Sequence, residues 1–88
     1  DSVTMQALVL GVQRDRLLVL DFATRQRVIV NTPCALRFRE GDIVHIRYNG
    51  VMTRSIPPQI YAINIFALPW GGSGVTGVDF LKPVSIEI

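Results

Sequence analysis

The stretch from Thr4 to Phe22, TMQALVLGVQRDRLLVLDF, decides the fold. It holds two aliphatic runs, 4–12 and 17–22, separated by the polar turn 13–16. Runs of this length between turn residues predict strands, and a link this short favours antiparallel pairing. Gly11, near the end of the first run, indicates a bulge of the kind that bends strands into closed barrels.

The same pattern continues along the chain. Further strands are predicted at 27–31 (RVIVN), 43–48 (IVHIRY) and 59–68 (QIYAINIFAL). Thr32 followed by Pro33 suits a helix N-cap and a first helical residue, which predicts one helical turn between the third and fourth strands. We therefore expect an all-β protein, a small five-stranded OB-like Greek-key barrel.

The link between the fourth and fifth strands is less regular. The dipeptide Asn49–Gly50 is a hairpin signal. Residues 51–56 fit either a short strand or an extended loop. The dipeptide Pro57–Pro58 cannot donate to a strand ladder and indicates an edge or a crossing segment. Its isomers cannot be predicted from the sequence.

A length of 88 residues leaves room for one domain only. We predict a single domain over 1–88, with a barrel core at 1–68, a glycine-rich loop at 69–74 and an added C-terminal strand segment at 75–88. That segment is rich in apolar residues and alternates regularly at its end. It pairs either within its own chain or with a neighbour, which gives a strand-exchanged homodimer with the glycine loop as hinge.

Composition excludes several classes of protein. Hydrophobic residues make up 49% and charged residues 18%, which excludes intrinsic disorder. No apolar run reaches the roughly 18 residues that would predict a transmembrane segment. Cys34 is the single cysteine and His45 the single histidine, so an internal disulfide, a cysteine zinc site and most histidine metal clusters are excluded. We predict no metal, no cofactor and no catalytic site, because His45 has no carboxylate or nucleophile at a telling spacing.

Positive charge is concentrated in the first part of the chain. Residues 1–54 carry eight arginines against five carboxylates, whereas residues 55–88 carry Lys82 against Asp79 and Glu87. Six of these eight arginines come in pairs two residues apart, which fits solvated turns or a surface for anions or nucleic acid. Single-strand binding also needs exposed aromatic side chains beside cations. The predicted ligand-binding residues are therefore Arg47, Arg54, Tyr61 and Trp70. Strands two and three offer only Phe22 as an aromatic, a weak stacking platform.

Two neighbouring stretches, 41–50 (GDIVHIRYNG) and 55–65 (SIPPQIYAINI), carry a family resemblance. They resemble the YobA-like family of small exported bacterial domains of unknown function, whose members carry G-D-x-V-x-V-x-Y-x-G and then S-x-P-x-Q-I-x-A-x-x-I. The matching residues here are Gly41, Asp42, Val44, Ile46, Tyr48 and Gly50, then Ser55, Pro57, Gln59, Ile60, Ala62 and Ile65. The resemblance implies an OB-like barrel exported by Gram-positive bacteria, often as a lipoprotein, and it implies no activity.

These observations lead to two hypotheses about function. The first is a non-catalytic exported or cell-envelope domain that binds a protein, a glycan or an envelope ligand, and is extracellular or attached to the envelope. A chain that begins at Asp1 without a methionine is what removal of a signal segment, or trimming from a longer chain, would leave. The alternative is a single-stranded nucleic-acid-binding OB domain.

Overall fold

The structure is a computed structural model, which describes residues 2–69 of the chain. Over that range it contains five strands and one 3-10 turn. They are β1 (Val3–Val12), β2 (Arg16–Asp21), β3 (Arg27–Asn31), the 3-10 turn (Ala35–Arg37), β4 (Ile43–Tyr48) and β5 (Gln59–Ala67). The strands predicted at 27–31 and 43–48 have those bounds, and the other three differ by one residue at one or both ends. None of the helical structure in residues 2–69 has the length and apolarity needed to span a membrane.

The five strands close into a barrel in the order β1-β2-β3-β5-β4. All neighbouring pairs are antiparallel except β3 and β5, which are parallel, and β4 returns to pair with β1. The prediction of an all-β, five-stranded, OB-like barrel is thereby confirmed. The strand predicted within 75–88, its homodimer and most of the loop 69–74 lie outside the described residues.

Closure depends on the bend in β1. Its first half pairs with β4, from Val3 opposite Tyr48 to Leu8 opposite Ile43. Its second half pairs with β2, and the register shifts between Val9 and Gly11. The predicted bulge at Gly11 is confirmed, and it lets one strand serve two neighbours.

Side chains alternate between the barrel interior and the outer surface. The interior is filled almost entirely by aliphatic residues, because every second position of each strand points inward. The fully buried strand residues are Ala7, Val9, Leu17, Val19, Val28, Val30, Val44, Ile46 and Ile60. Ala35 and Phe38, from the 3-10 turn and the residue after it, also belong to this core.

The helical turn after β3 is confirmed, but its predicted cap is not. Cys34, not Thr32, occupies the N-cap position, and no side chain caps the turn. Thr32 is buried, and its hydroxyl accepts a hydrogen bond from the Cys34 amide at 3.4 Å. Because that bond forms a separate turn before the helical one, the 3-10 turn begins at Ala35, two residues later than the sequence pattern indicates.

The turn between β2 and β3 is organised by a buried carboxylate. Asp21 accepts hydrogen bonds from the Ala23 amide at 2.9 Å and from the Thr24 hydroxyl at 3.1 Å. The Arg25 amide bonds the carbonyl of Asp21 at 2.8 Å, with Arg25 at a φ of 61°. These bonds fix the point at which β3 begins, and so they fix the position of Arg27.

A ten-residue loop, 49–58, joins β4 to β5, so the two-residue hairpin that Asn49–Gly50 signalled does not form. The local turn does form. The Asn49 side chain accepts a hydrogen bond from the Val51 amide at 2.9 Å, and Gly50 has a φ of 89°. Residues 51–56 form a loop, one of the two alternatives left open by the sequence. Pairing with β4 begins only at Ala62, opposite Tyr48, the last residue of β4, and residues 59–61 pair with β3 instead.

Candidate binding surface

The loop 49–58 is held in one shape by its own hydrogen bonds. The Thr53 amide donates to the Gln59 carbonyl at 3.0 Å, and the Gln59 amide returns a bond to the Thr53 hydroxyl at 2.9 Å. Ser55 donates its hydroxyl proton to the Pro57 carbonyl at 2.9 Å, across a cis Ile56–Pro57 peptide bond. Six of these ten residues, 53–58, therefore lie in one hydrogen-bonded turn beside β5.

The loop is also anchored to β3. The amide of Ile29 donates to the carbonyl of Pro58 at 2.8 Å. This bond places the loop against the first residues of β3 and leaves a cavity of about 640 Å³ between them. We call this cavity the loop groove, and it is lined by residues 26–27 and 52–58.

The loop groove combines positive charge with apolar surface. Arg27 stands on the strand side and Arg54 on the loop side, and both side chains are exposed. Met52, Pro57 and the 99% exposed Ile56 supply the apolar part. An isoleucine this exposed has an apolar area that only a ligand or partner would remove from water.

The outer surface of the neighbouring strands is aliphatic where a solvated sheet face is normally polar. Opposite pairs on this face include Leu8 with Leu20 and Leu18 with Ile29. We call these residues, with Ile43 beside Leu8, the outer aliphatic face. All of them are half-buried. The face crosses four strands, about 14 Å at the usual strand spacing.

A second depression, of about 350 Å³, lies on this face. Its lining includes Arg16, Leu18, Ile29 and Pro57. Pro57 therefore borders both the loop groove and this depression, which makes them two ends of one trough. We use the word trough for the two together.

The described residues carry an excess of positive charge. Residues 2–69 contain eight arginines, all exposed, and four carboxylates, a formal charge of +4. One ion pair is found within this range, between the exposed side chains of Arg16 and Asp15, with a nitrogen–oxygen distance of 3.6 Å. Asp21 and Asp42 instead accept bonds from backbone amides. The guanidinium groups of Arg27 and Arg54 thus face the trough without a carboxylate from residues 2–69.

The four residues predicted to bind ligand are not brought together. Arg54 lines the loop groove. Arg47 lies on the outer surface of β4, opposite Thr4 and Asn64, and does not line the groove. Tyr61 is 67% exposed on β5, opposite Asn31 at the far end of β3 from Arg27. Trp70 lies outside the described residues.

Arg54 is the only residue of the described trough lining that sequence reasoning predicted as ligand-binding, and Arg16, Arg27 and Ile56 are among those it missed. Both missed arginines belong to pairs that the sequence shows, but those pairs fit solvated turns equally well. Ile56 could be singled out only by its place between Ser55 and Pro57, because an isoleucine next to a proline in a loop has no strand position that would bury it.

The residues weighed for catalysis have structural contacts. The His45 ring stacks on Phe66, with centroids 5.2 Å apart and an angle of 26° between the planes. The Cys34 sulfur lies 3.2 Å from the Thr32 hydroxyl. Within residues 2–69 no three His, Cys, Asp or Glu side chains are grouped in a way that would hold a metal ion.

Comparisons with known protein families, with curated proteins and with solved structures found no match to this chain. The resemblance to the YobA-like family therefore stays a prediction, and the arguments about function depend on the geometry of the barrel and its loop.

Proposed function

We propose that this protein is a non-catalytic binding module and that it binds a segment of a partner protein in the trough. The observation that carries the proposal is the outer aliphatic face continuing into the loop groove. Contiguous apolar surface of this kind marks interaction sites on small soluble domains. Leaving apolar surface of this kind in contact with water is unfavourable in free energy.

The side chains of the trough favour a protein ligand over a nucleic acid or a sugar. Bases bind such barrels by stacking on aromatic rings beside cations. The trough contains aliphatic residues, prolines and arginines, and among residues 2–69 none that lines it is aromatic. Aliphatic surface with charge at its ends suits the side chains of a polypeptide.

The place of action is proposed from the family resemblance. An exported, envelope-attached lipoprotein of a Gram-positive bacterium is what that resemblance implies. The gene sequence upstream of Asp1 tests this directly. A signal segment with a lipid-attachment cysteine would support export, and a preceding cytosolic domain would contradict it.

The proposed binding activity is tested by offering the full chain three classes of ligand: a peptide display library, single-stranded oligonucleotides and an oligosaccharide array. We expect selected peptides that shift the methyl resonances of Leu18 and Ile29. Selection of sugars alone, or of no ligand at all, would refute the proposal.

A second candidate, single-stranded nucleic-acid binding, is favoured by a different surface. Arg47, Tyr61 and Phe66 are exposed on the outer side of β4 and β5, and the described residues carry a charge of +4. This candidate predicts oligonucleotide binding that weakens steeply with added salt and is lost in Tyr61→Ala. Binding that is unchanged by salt, or by that substitution, would reject it.

A further inference from the structure

The two ends of the trough differ in chemistry. The loop groove offers two guanidinium groups, from Arg27 on β3 and Arg54 on the loop, on opposite sides of one cavity. The depression on the outer aliphatic face offers Leu18 and Ile29 as an apolar floor, and the one arginine in its lining, Arg16, is paired with Asp15. Pro57 stands between them. A ligand that occupies the whole trough meets a cationic end and an apolar end in a fixed order.

The cationic end is suited to a carboxylate. A guanidinium group holds a carboxylate through two parallel hydrogen bonds, which are stronger and more directional than the bonds of an ammonium group. No carboxylate of residues 2–69 forms a salt bridge with Arg27 or Arg54. The chain contains no lysine in that range, so each positive side chain there has the planar geometry that recognises carboxylates.

The closed barrel limits how a polypeptide can bind. Each of the five strands pairs with a neighbour on both sides in the order β1-β2-β3-β5-β4. A ligand therefore cannot dock chiefly by adding a strand to a free edge, as in β-strand addition. Recognition therefore depends on side chains, and the side chains that line the trough are mainly aliphatic and cationic.

We propose that the trough binds an acidic, apolar segment of a partner protein, with an Asp or Glu carboxylate between Arg27 and Arg54. An apolar side chain of the same segment lies between Ile56 and Pro57, and the next lies on Leu18 and Ile29. The inference rests on the proposed protein-binding function and adds the composition and order of the segment.

The test uses the full chain and three pools of fluorescent peptides of about ten residues, long enough when extended to cross both depressions. One pool combines Asp and Glu with aliphatic residues, one combines Lys and Arg with aliphatic residues, and one combines Asp and Glu with Ser and Gly. We expect the acidic–aliphatic pool to bind at least about tenfold more tightly than either other pool. Raising NaCl from about 0.05 M to about 0.5 M should weaken that binding several-fold.

Matched variants locate the binding. Arg27→Gln/Arg54→Gln should weaken binding of the acidic–aliphatic pool by about tenfold or more. Arg37→Gln/Arg39→Gln removes the same charge from exposed arginines outside the trough and should leave the affinity within about twofold. An equal loss in both variants would show diffuse attraction to the whole protein and would overturn the inference.

The remaining outcomes separate this inference from the proposed function. If peptides bind in the trough but the basic or the purely polar pool binds best, the inference fails and the protein-binding function stands. If no pool binds, both fail. Dimerisation that is lost in Arg27→Gln/Arg54→Gln would identify a second copy as the occupant and overturn the inference. If Phe80→Ser/Leu81→Ser alone shifts the Leu18 and Ile29 methyl resonances, residues 75–88 are the occupant and the inference is likewise overturned.

Discussion

At the scale of single residues, exposure and function are linked most clearly at Ile56. Its neighbour Pro57 is half-buried in the trough and Pro58 is buried, whereas Ile56 is left in water at the top of a hydrogen-bonded loop. A residue with no contacts in the free protein contributes little to folding. Ile56 therefore offers a substitution that affects binding and stability separately.

Ile56→Ser should leave the free energy of unfolding within about 0.5 kcal/mol, as for other surface substitutions. The same change should weaken peptide binding by about tenfold, since burying an isoleucine side chain contributes about 1.5–3 kcal/mol. Val51→Ser is the control, because Val51 is 65% exposed on the same loop and does not line the groove. Chemical denaturation and peptide titration measure both quantities. Equal affinity in the two variants would exclude Ile56 from the binding surface.

The candidate site could be predicted only in part, for a reason visible in its arginines. Arg54 was predicted as a cation near the exposed aromatic residues Tyr61 and Trp70, and it lines the groove. Arg27 was not, because the turn that places it depends on the buried Asp21 carboxylate, and a sequence does not show which aspartates become buried. Tyr61 has the exposure expected of a ligand-binding aromatic. However, it lies opposite Asn31, at the end of β3 that is farther from the groove.

At the scale of elements, β2 shows how one strand serves both the core and the binding surface. Leu17 and Val19 are fully buried, and Leu18 and Leu20 are half-buried on the outer face. The run is nearly continuous in apolar residues, a pattern more typical of strands covered on both sides. This pattern is consistent with the proposal that a partner protein covers the outer side of β2.

Neighbouring substitutions in β2 separate the two roles. Leu17→Ala should lower the free energy of unfolding by about 2–5 kcal/mol, because it leaves a cavity in a closed core. Leu18→Ala should cost less than half as much and should weaken peptide binding. Thermal denaturation and peptide titration check both effects. If Leu18→Ala destabilises the protein as much as Leu17→Ala, the outer position belongs to the core and not to a binding surface.

The elements were largely predictable because alternation of side chains and turn residues is local information. The bounds of β3 and β4 follow from aliphatic runs between turn residues, and the bend at Gly11 follows from the glycine. The loop 49–58 was not predictable in detail. Its shape depends on bonds from Thr53 to Gln59 and from Ile29 to Pro58, which connect residues that only the finished barrel brings together.

At the scale of the whole molecule, positive side chains outnumber negative ones on the described barrel. Eight exposed arginines and four carboxylates lie in residues 2–69, and the salt bridge found there is weak by its 3.6 Å distance and its exposure. Like charges on a small surface repel, and this repulsion favours the unfolded chain, in which they are further apart. Ligand binding at the trough would relieve part of that repulsion.

Added salt should therefore stabilise the protein. Raising NaCl from about 0.05 M to about 0.5 M shortens the screening length and should raise the Tm by a few degrees. Arg27→Gln/Arg54→Gln should respond less, because it carries two positive charges fewer. Scanning calorimetry measures both. A Tm that falls with salt, or that rises equally in the two proteins, would show that charge repulsion does not limit the stability of the barrel.

The double pairing of β1 has a consequence for how the chain reaches this shape. Its second half meets β2 after a turn of three residues, whereas Val3 meets Tyr48, 45 positions further along. The β1–β2–β3 meander is built from contacts close in sequence, and the seam between β1 and β4 requires a long loop to close first. Seams of this kind are slow to form, in the range of milliseconds to seconds for β-rich domains. Refolding should therefore be limited by closure of that seam, and substitutions along the β1–β4 pairing should slow it more than substitutions in the β2–β3 turn.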